Sequence, residues 1–124
     1  MDDKEIDQFE KLEAQLTGLL DEVSSLTKKS PDGGMNTFKL KYVNSVLEST
    51  NKLMKPAQRP FADFAQFDEV VIPTNSDVLL ILRQYANCLE EVRAANIQES
   101  YDSWYWVVKG KAGNRRARPP AKLK

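Results

Sequence analysis

Residues 74–97, TNSDVLLILRQYANCLEEVRAANI, form the most regular stretch of the chain and decide its fold. Large apolar side chains recur in it at steps of four, three, four and three residues: Val78, Leu82, Tyr85, Leu89 and Val92. This spacing places them on one side of an α-helix. A second line at sevenfold spacing, Ile81, Cys88 and Ala95, widens the apolar side enough to meet two neighbours. The stretch therefore predicts a central helix. Its start is marked by Pro73 and Thr74 and by the side-chain oxygens that follow, those of Asn75, Ser76 and Asp77.

Two further helices are predicted before it. Residues 2–29 carry apolar side chains at alternating steps of three and four, from Phe9 to Leu26, as in a bundle or coiled-coil helix. The sequence Ser-Pro-Asp-Gly-Gly at 30–34 ends this helix and favours a reversal. Residues 35–55 form the second predicted helix, which Pro56 ends. Because the first reversal is short, we expect an antiparallel three-helix bundle, a mainly α fold.

The remaining segments connect and close this bundle. Residues 56–73 begin and end in proline and carry six large apolar groups, which a solvated linker would not, so we expect an ordered crossover with a short helical turn. Residues 101–108 are rich in aromatic and β-branched side chains, and Gly110, Gly113 and Asn114 favour a reversal before 115–118. A small C-terminal β-hairpin is predicted. We assign the whole chain to one domain, with 1–108 as the helical part and 109–124 as a basic strand and tail.

The charges are divided unequally along the chain. The formal net charge is zero, with 18 acidic and 18 basic residues. Residues 1–108 contain all 18 acids and 11 basic residues, a net charge of −7, whereas residues 109–124 contain seven basic residues and no acid. This asymmetry is the feature of the sequence that indicates most about partners. Residues 1–108 are complementary in charge to a basic surface, and residues 109–124 to an acidic surface.

The sequence offers little for catalysis. It contains no histidine, which removes the most common general base and most zinc sites. Adjacent carboxylates at Asp68 and Glu69, and at Glu90 and Glu91, point in different directions if they lie on a helix. The glycines at 110 and 113 lack the lysine and hydroxyl of a phosphate-binding loop. We therefore expect no enzyme, no cofactor, no metal and no small-molecule substrate.

The crossover aromatics Phe61, Phe64 and Phe67 recur at every third residue and admit two interpretations. As structure, their rings cover one end of the bundle. As function, an aromatic series among acids docks into the groove of a partner. We favour the structural interpretation, because apolar side chains at regular spacing usually belong to a core.

The C-terminus also admits two functional interpretations. Exposed Trp104 or Trp106 beside arginines would stack on bases and neutralise the phosphates of a nucleic acid. Alternatively, the tryptophans pack on the helices and the tail folds back onto the acidic body as a strap. The candidate contacts are Trp104, Trp106, Arg115, Arg116, Arg118, Lys122 and Lys124.

Together these features favour a small, non-enzymatic interaction protein of a bacterial type, an adaptor, inhibitor or immunity-like protein whose acidic helical body binds a protein partner. A nucleic-acid-binding accessory protein is the alternative. We expect a cytoplasmic protein without a membrane association, because no apolar run exceeds five residues and the first residues are acidic. The wide apolar helix faces also predict a homodimer.

Overall fold

The structure, a computed structural model, describes residues 1–121 and contains three helices followed by a three-stranded antiparallel sheet. In chain order the elements are α1 (Asp3–Lys29), α2 (Thr37–Leu53), a 3-10 turn (Pro56–Gln58), α3 (Asn75–Ala94), β1 (Ile97–Ser100), β2 (Ser103–Val108) and β3 (Lys111–Ala117). The three predicted helices are thus confirmed to within a few residues at their ends. The crossover contains its short helical turn.

Each helix begins where a side chain can accept a hydrogen bond from the first turn. Asp2 caps α1 by accepting from Glu5 N–H, and Asn36 caps α2 by accepting from Lys39 N–H. Thr74 caps α3, and its own N–H donates to the carboxylate of Asp77. These side chains satisfy amides that have no partner within the helix, which explains why the predicted helix starts are accurate.

One core is shared by the helices and the sheet. Every member of the stripe that predicted α3 is buried: Val78, Leu82, Tyr85, Leu89 and Val92. The sheet contributes Ile97 from β1 and Trp106 from β2, which lie opposite each other in the strand register. The Trp106 ring packs edge-on against Phe9 of α1, with the ring centroids 5.3 Å apart. The sheet is therefore attached to the helices by large apolar side chains.

The prediction of a two-stranded hairpin was wrong in its number of strands. Residues 97–100 form an additional strand, β1, which the predicted β-hairpin does not include. Ile97 is the only buried residue of this strand. The sequence of the strand therefore lacks the alternation of apolar and polar residues from which strands are predicted. Tyr101 and Asp102 reverse the chain in left-handed conformations, with φ of 50° and 63°. Aspartate is among the residues that adopt this conformation more readily, whereas tyrosine is not.

The second reversal also differs from its predicted position. It is made by Lys109 and Gly110, with φ of 54° and 79°. Gly113 and Asn114, predicted to turn, lie within β3. Two successive residues with positive φ are typical of a type I′ hairpin turn, and of the three predicted turn residues only Gly110 has a positive φ.

Within residues 1–121, no helix combines the length and apolarity needed to cross a membrane.

Candidate protein-docking site

The crossover between α2 and α3 is held to the helices by buried amide side chains. Asn44 of α2 forms two hydrogen bonds with the backbone of Phe67: its Nδ2 donates to the carbonyl oxygen at 2.9 Å, and its Oδ1 accepts from the N–H at 2.8 Å. Asn44 is only 6% exposed. Satisfying both backbone groups of one residue fixes the position and the orientation of the chain there.

A second buried asparagine, Asn51, extends this network about two turns further along the same face of α2. Asn51 Nδ2 donates to the carbonyl of Ala65 at 3.0 Å, and its Oδ1 accepts from the Tyr85 hydroxyl at 2.9 Å. The Arg59 guanidinium donates to the Asn51 carbonyl at 3.0 Å. Burial raises the pKa of the Tyr85 hydroxyl, although its hydrogen bond to Asn51 opposes the rise. Tyr85 therefore stays a neutral hydroxyl that ties α3 to α2 and, through Asn51, to the crossover.

The three crossover phenylalanines do not share one environment. Phe64 and Phe67 are half-buried against the core and pack edge-to-face, with their ring centroids 5.0 Å apart. Phe64 also contacts Tyr85, at 6.3 Å between centroids. Phe61 is 39% exposed. The structure thus places two of the predicted docking aromatics in a packing role and leaves Phe61 at the surface.

Beyond Phe67 the crossover projects an apolar tip, which we define as residues 68–72. Asp68 Oδ1 accepts a hydrogen bond from Val70 N–H at 2.8 Å, which stabilises the bend. Val70 is 88% exposed and Val71 is 71% exposed. On the far side of the tip, Pro73 O accepts from Met35 N–H at 2.9 Å. The tip is therefore fixed at both ends while two β-branched side chains stand in solvent.

The charged residues of the chain between 60 and 72 are all negative. Asp63, Asp68 and Glu69 are exposed, and residues 60–72 contain no lysine or arginine. None of the three carboxylates forms an ion pair within the part of the chain that the structure describes. An apolar projection surrounded by unpaired carboxylates is complementary to an apolar pocket with a basic rim.

We predict that Asn44→Ala loosens the crossover. The variant leaves Phe67 N–H and C=O without their partners, so we expect the free energy of unfolding to fall by about 2 kcal/mol. Hydrogen exchange should show faster exchange at Phe67 than in the wild type. Ser45→Ala, which changes an exposed neighbour on the same helix, is the matched control and should stay within about 0.5 kcal/mol. Unchanged exchange at Phe67 in Asn44→Ala would contradict the role assigned to the amide.

The basic C-terminal segment lies against the acidic side of α1. Arg115 donates to Asp7 at 2.7 Å and to Glu10 at 2.8 Å, and Arg118 donates to Glu13 at 2.8 Å. The hydrogen bond that Arg115 donates to Asp7 raises the pKa of Arg115. These contacts correspond to the predicted strap. Arg116 remains exposed, and Lys122 and Lys124 lie outside the described residues.

Arg93 of α3 anchors the end of this strap. It is 2% exposed, and its guanidinium donates to the Glu90 carboxylate, to Arg118 O at 2.7 Å and to Pro119 O at 2.8 Å. The hydrogen bond with Glu90 raises the pKa of Arg93. Burial alone would raise the pKa of Glu90, but hydrogen bonds from Arg93 and from the N–H of Ala121 outweigh it and lower that pKa. The charged state of both groups is thus favoured in the folded chain.

The two tryptophans differ in how far their side chains are buried. Trp106 is 2% exposed and belongs to the core, whereas Trp104 is half-buried beside it. Trp106 is consequently enclosed by protein, and of the pair only Trp104 retains a partly open ring.

Sequence reasoning missed the polar residues that hold the crossover and the strap: Asn44, Asn51 and Arg93. Each lies on a helix face that is otherwise occupied by apolar residues. That interruption of the apolar pattern is the one sequence signal by which they could have been found. A polar side chain at a core position is rarely left without a partner. The identity of the partner depends on the fold.

Searches with this chain found no matching protein-family model, curated protein sequence or solved structure.

Proposed function

We propose that this chain is a small non-enzymatic protein-interaction module, of the adaptor, inhibitor or immunity type, that docks through the crossover. In this proposal the three helices form an antiparallel bundle that serves as a rigid scaffold, and the tip (residues 68–72) enters an apolar pocket with a basic rim on a cytoplasmic protein partner. The observation that carries it is the exposure of Val70 and Val71 on a segment that buried amides hold in place.

Two physical arguments support this assignment. Exposing β-branched side chains is unfavourable in isolation, because each fully buried valine gains about 1.5 kcal/mol or more. Holding the backbone rigid before binding reduces the entropy lost on association. An apolar tip whose backbone is held in place therefore favours binding through both effects. A flexible polar loop at the same place would provide neither.

The alternative of nucleic-acid binding has less support from the geometry. Two of its predicted phosphate contacts, Arg115 and Arg118, are occupied by carboxylates of α1. Those carboxylates would also repel a polyanion that approached the same surface. Trp106, one of the two candidate stacking residues, is buried.

Site-specific photocrosslinking in lysate of the source cell tests the proposal. A benzophenone amino acid replaces Val71 in one sample and Leu80, an exposed apolar residue of α3, in the matched control. We expect a discrete protein adduct from position 71 that is absent from position 80 and survives nuclease treatment. Unlabelled wild-type chain should compete for the adduct at least tenfold better than the variant Val70→Ser/Val71→Ser, because residues at the centre of a contact contribute most of its affinity.

Equal adducts from positions 71 and 80, or an adduct that nuclease removes, would contradict the proposal. The serine variant should keep the thermal stability of the wild type, since both valines lie in solvent. A loss of competition therefore reports on binding and not on folding.

A further inference from the structure

A groove with a volume of about 440 Å³ lies between α1 and α2. Its apolar lining is formed by Leu12 of α1 and by Tyr42, Val46 and Leu53 of α2. Gln8, Gln15, Ser45 and Ser49 also line it, so the groove presents a mixed surface with an apolar part.

Two lysines line this groove and a third lies beside one of its lining residues. Lys11 and Lys52 line it, and Lys41 lies over the Tyr42 ring at 5.9 Å from the centroid. Lys11 forms no ion pair within residues 1–121, whereas Lys52 contacts Glu48 of its own helix at 3.2 Å. No carboxylate lines the groove. In a helical body whose net charge is negative, this is a local basic surface, and it matches the three carboxylates at 63, 68 and 69.

A chain cannot place its own tip in its own groove. The hydrogen bonds of Asn44 and Asn51 hold the crossover against one face of α2, and the groove is formed by residues of another face, such as Ser45 and Ser49. Any contact between tip and groove therefore joins two molecules.

We propose that the α1/α2 groove binds the crossover tip of a second copy of this chain, with Val70 and Val71 on Leu12, Val46 and Leu53, and the acids at 63 and 69 near Lys11 and Lys52. The contact is of the head-to-tail kind, so it extends beyond a dimer unless it closes into a ring. The proposal shares the tip with the proposed function but not the groove, and self-association would compete with partner binding.

The tip and the groove are both small, so the association is weak and belongs to the class of transient contacts. Sedimentation velocity of the full chain between 10 and 500 µM in low salt is the measurement. We expect the weight-average mass to rise with concentration, and to rise less in 0.5 M NaCl, because salt screens exposed charges.

Charge reversal identifies the surfaces. Asp63→Lys/Glu69→Lys changes the tip and Lys11→Glu/Lys52→Glu changes the groove; Asp68 is kept because it stabilises the bend. Each variant alone should self-associate at least tenfold more weakly than the wild type. An equimolar mixture of the two should recover association to within about threefold, because the reversed tip then meets the reversed groove.

Three outcomes would overturn the inference: a monomer at every concentration, variants that associate as the wild type does, or a mixture that stays as weak as its components. Circular dichroism spectra identical to that of the wild type show that the variants are folded. A monomeric wild type that still forms the adduct from position 71 would reject the groove while leaving the proposed function standing. Intact self-association, with an adduct from position 71 that contains only a second copy of this chain, would do the reverse.

Discussion

Replacing Arg93 with alanine is expected to lower the free energy of unfolding by about 3 kcal/mol, the largest effect of any single polar substitution in this chain. The variant removes the guanidinium that bonds Glu90 and the carbonyls of Arg118 and Pro119. Glu90 loses this partner in a place where water reaches it poorly, since its side chain is only 14% exposed. Urea unfolding followed by circular dichroism measures the loss, and the melting temperature should fall by roughly 10 °C.

Arg83→Ala is the matched control, because Arg83 is an exposed arginine of the same helix with no ion pair among the residues that the structure describes. It should change the stability by no more than about 0.5 kcal/mol. Arg93→Lys keeps the charge but not the planar set of donors, so it should fall between the two. Hydrogen exchange in residues 115–121 of Arg93→Ala should also increase. A loss of less than 1 kcal/mol would show that the buried guanidinium does not anchor the strap.

Trp106→Ala is expected to have an effect of comparable or greater size, a loss of about 3 to 5 kcal/mol. The indole is enclosed between the sheet and α1, where it contacts Phe9, and its removal leaves a cavity that the surrounding residues cannot close. Because Ile97 lies directly opposite in the strand register, the loss should loosen β1 as well as β2. Thermal unfolding and the near-ultraviolet circular dichroism spectrum measure the two effects.

Trp104→Ala provides the comparison, since Trp104 is half-buried in the same strand. We expect it to lower the stability by about 1 kcal/mol, less than half of the effect at Trp106. The difference also bears on the role of the C-terminus, because a stacking platform for bases would require accessible rings. Equal losses from the two variants would contradict the depths that the structure assigns to them.

The crossover shows which structural features the pattern of apolar residues predicts and which it does not. Six apolar groups between two prolines predict an ordered segment, and Phe64 and Phe67 do pack on the core. The same pattern places Phe61 with them, although it lies at the surface. Nothing in the spacing distinguishes Val70 and Val71, which stand in solvent, from Ile72, which approaches Gly34. Apolarity predicts that a segment is packed, but not which of its side chains the packing covers.

The C-terminus illustrates a limit of a different kind. The charge asymmetry predicts either a strap or a nucleic-acid surface, and composition alone does not choose between them. In the structure Arg115 donates to Asp7 and to Glu10, residues more than 100 positions away in the chain, and composition does not predict such pairings. The additional strand β1 was missed for a related reason, because its residues become a strand only by pairing with β2.

By itself the sequence determined the three helices, the places where they begin, and the apolar sides that they bury. These properties depend on residues three, four or seven positions apart and on caps within the first turn. They can therefore be predicted from residues that are close together in the sequence. Only the tertiary structure decided which carboxylate each arginine meets, how deep each tryptophan lies, and that an asparagine on α2 holds a loop 23 residues away. Those outcomes depend on distances in space between segments, and a polar group finds its partner only after the chain has brought them together.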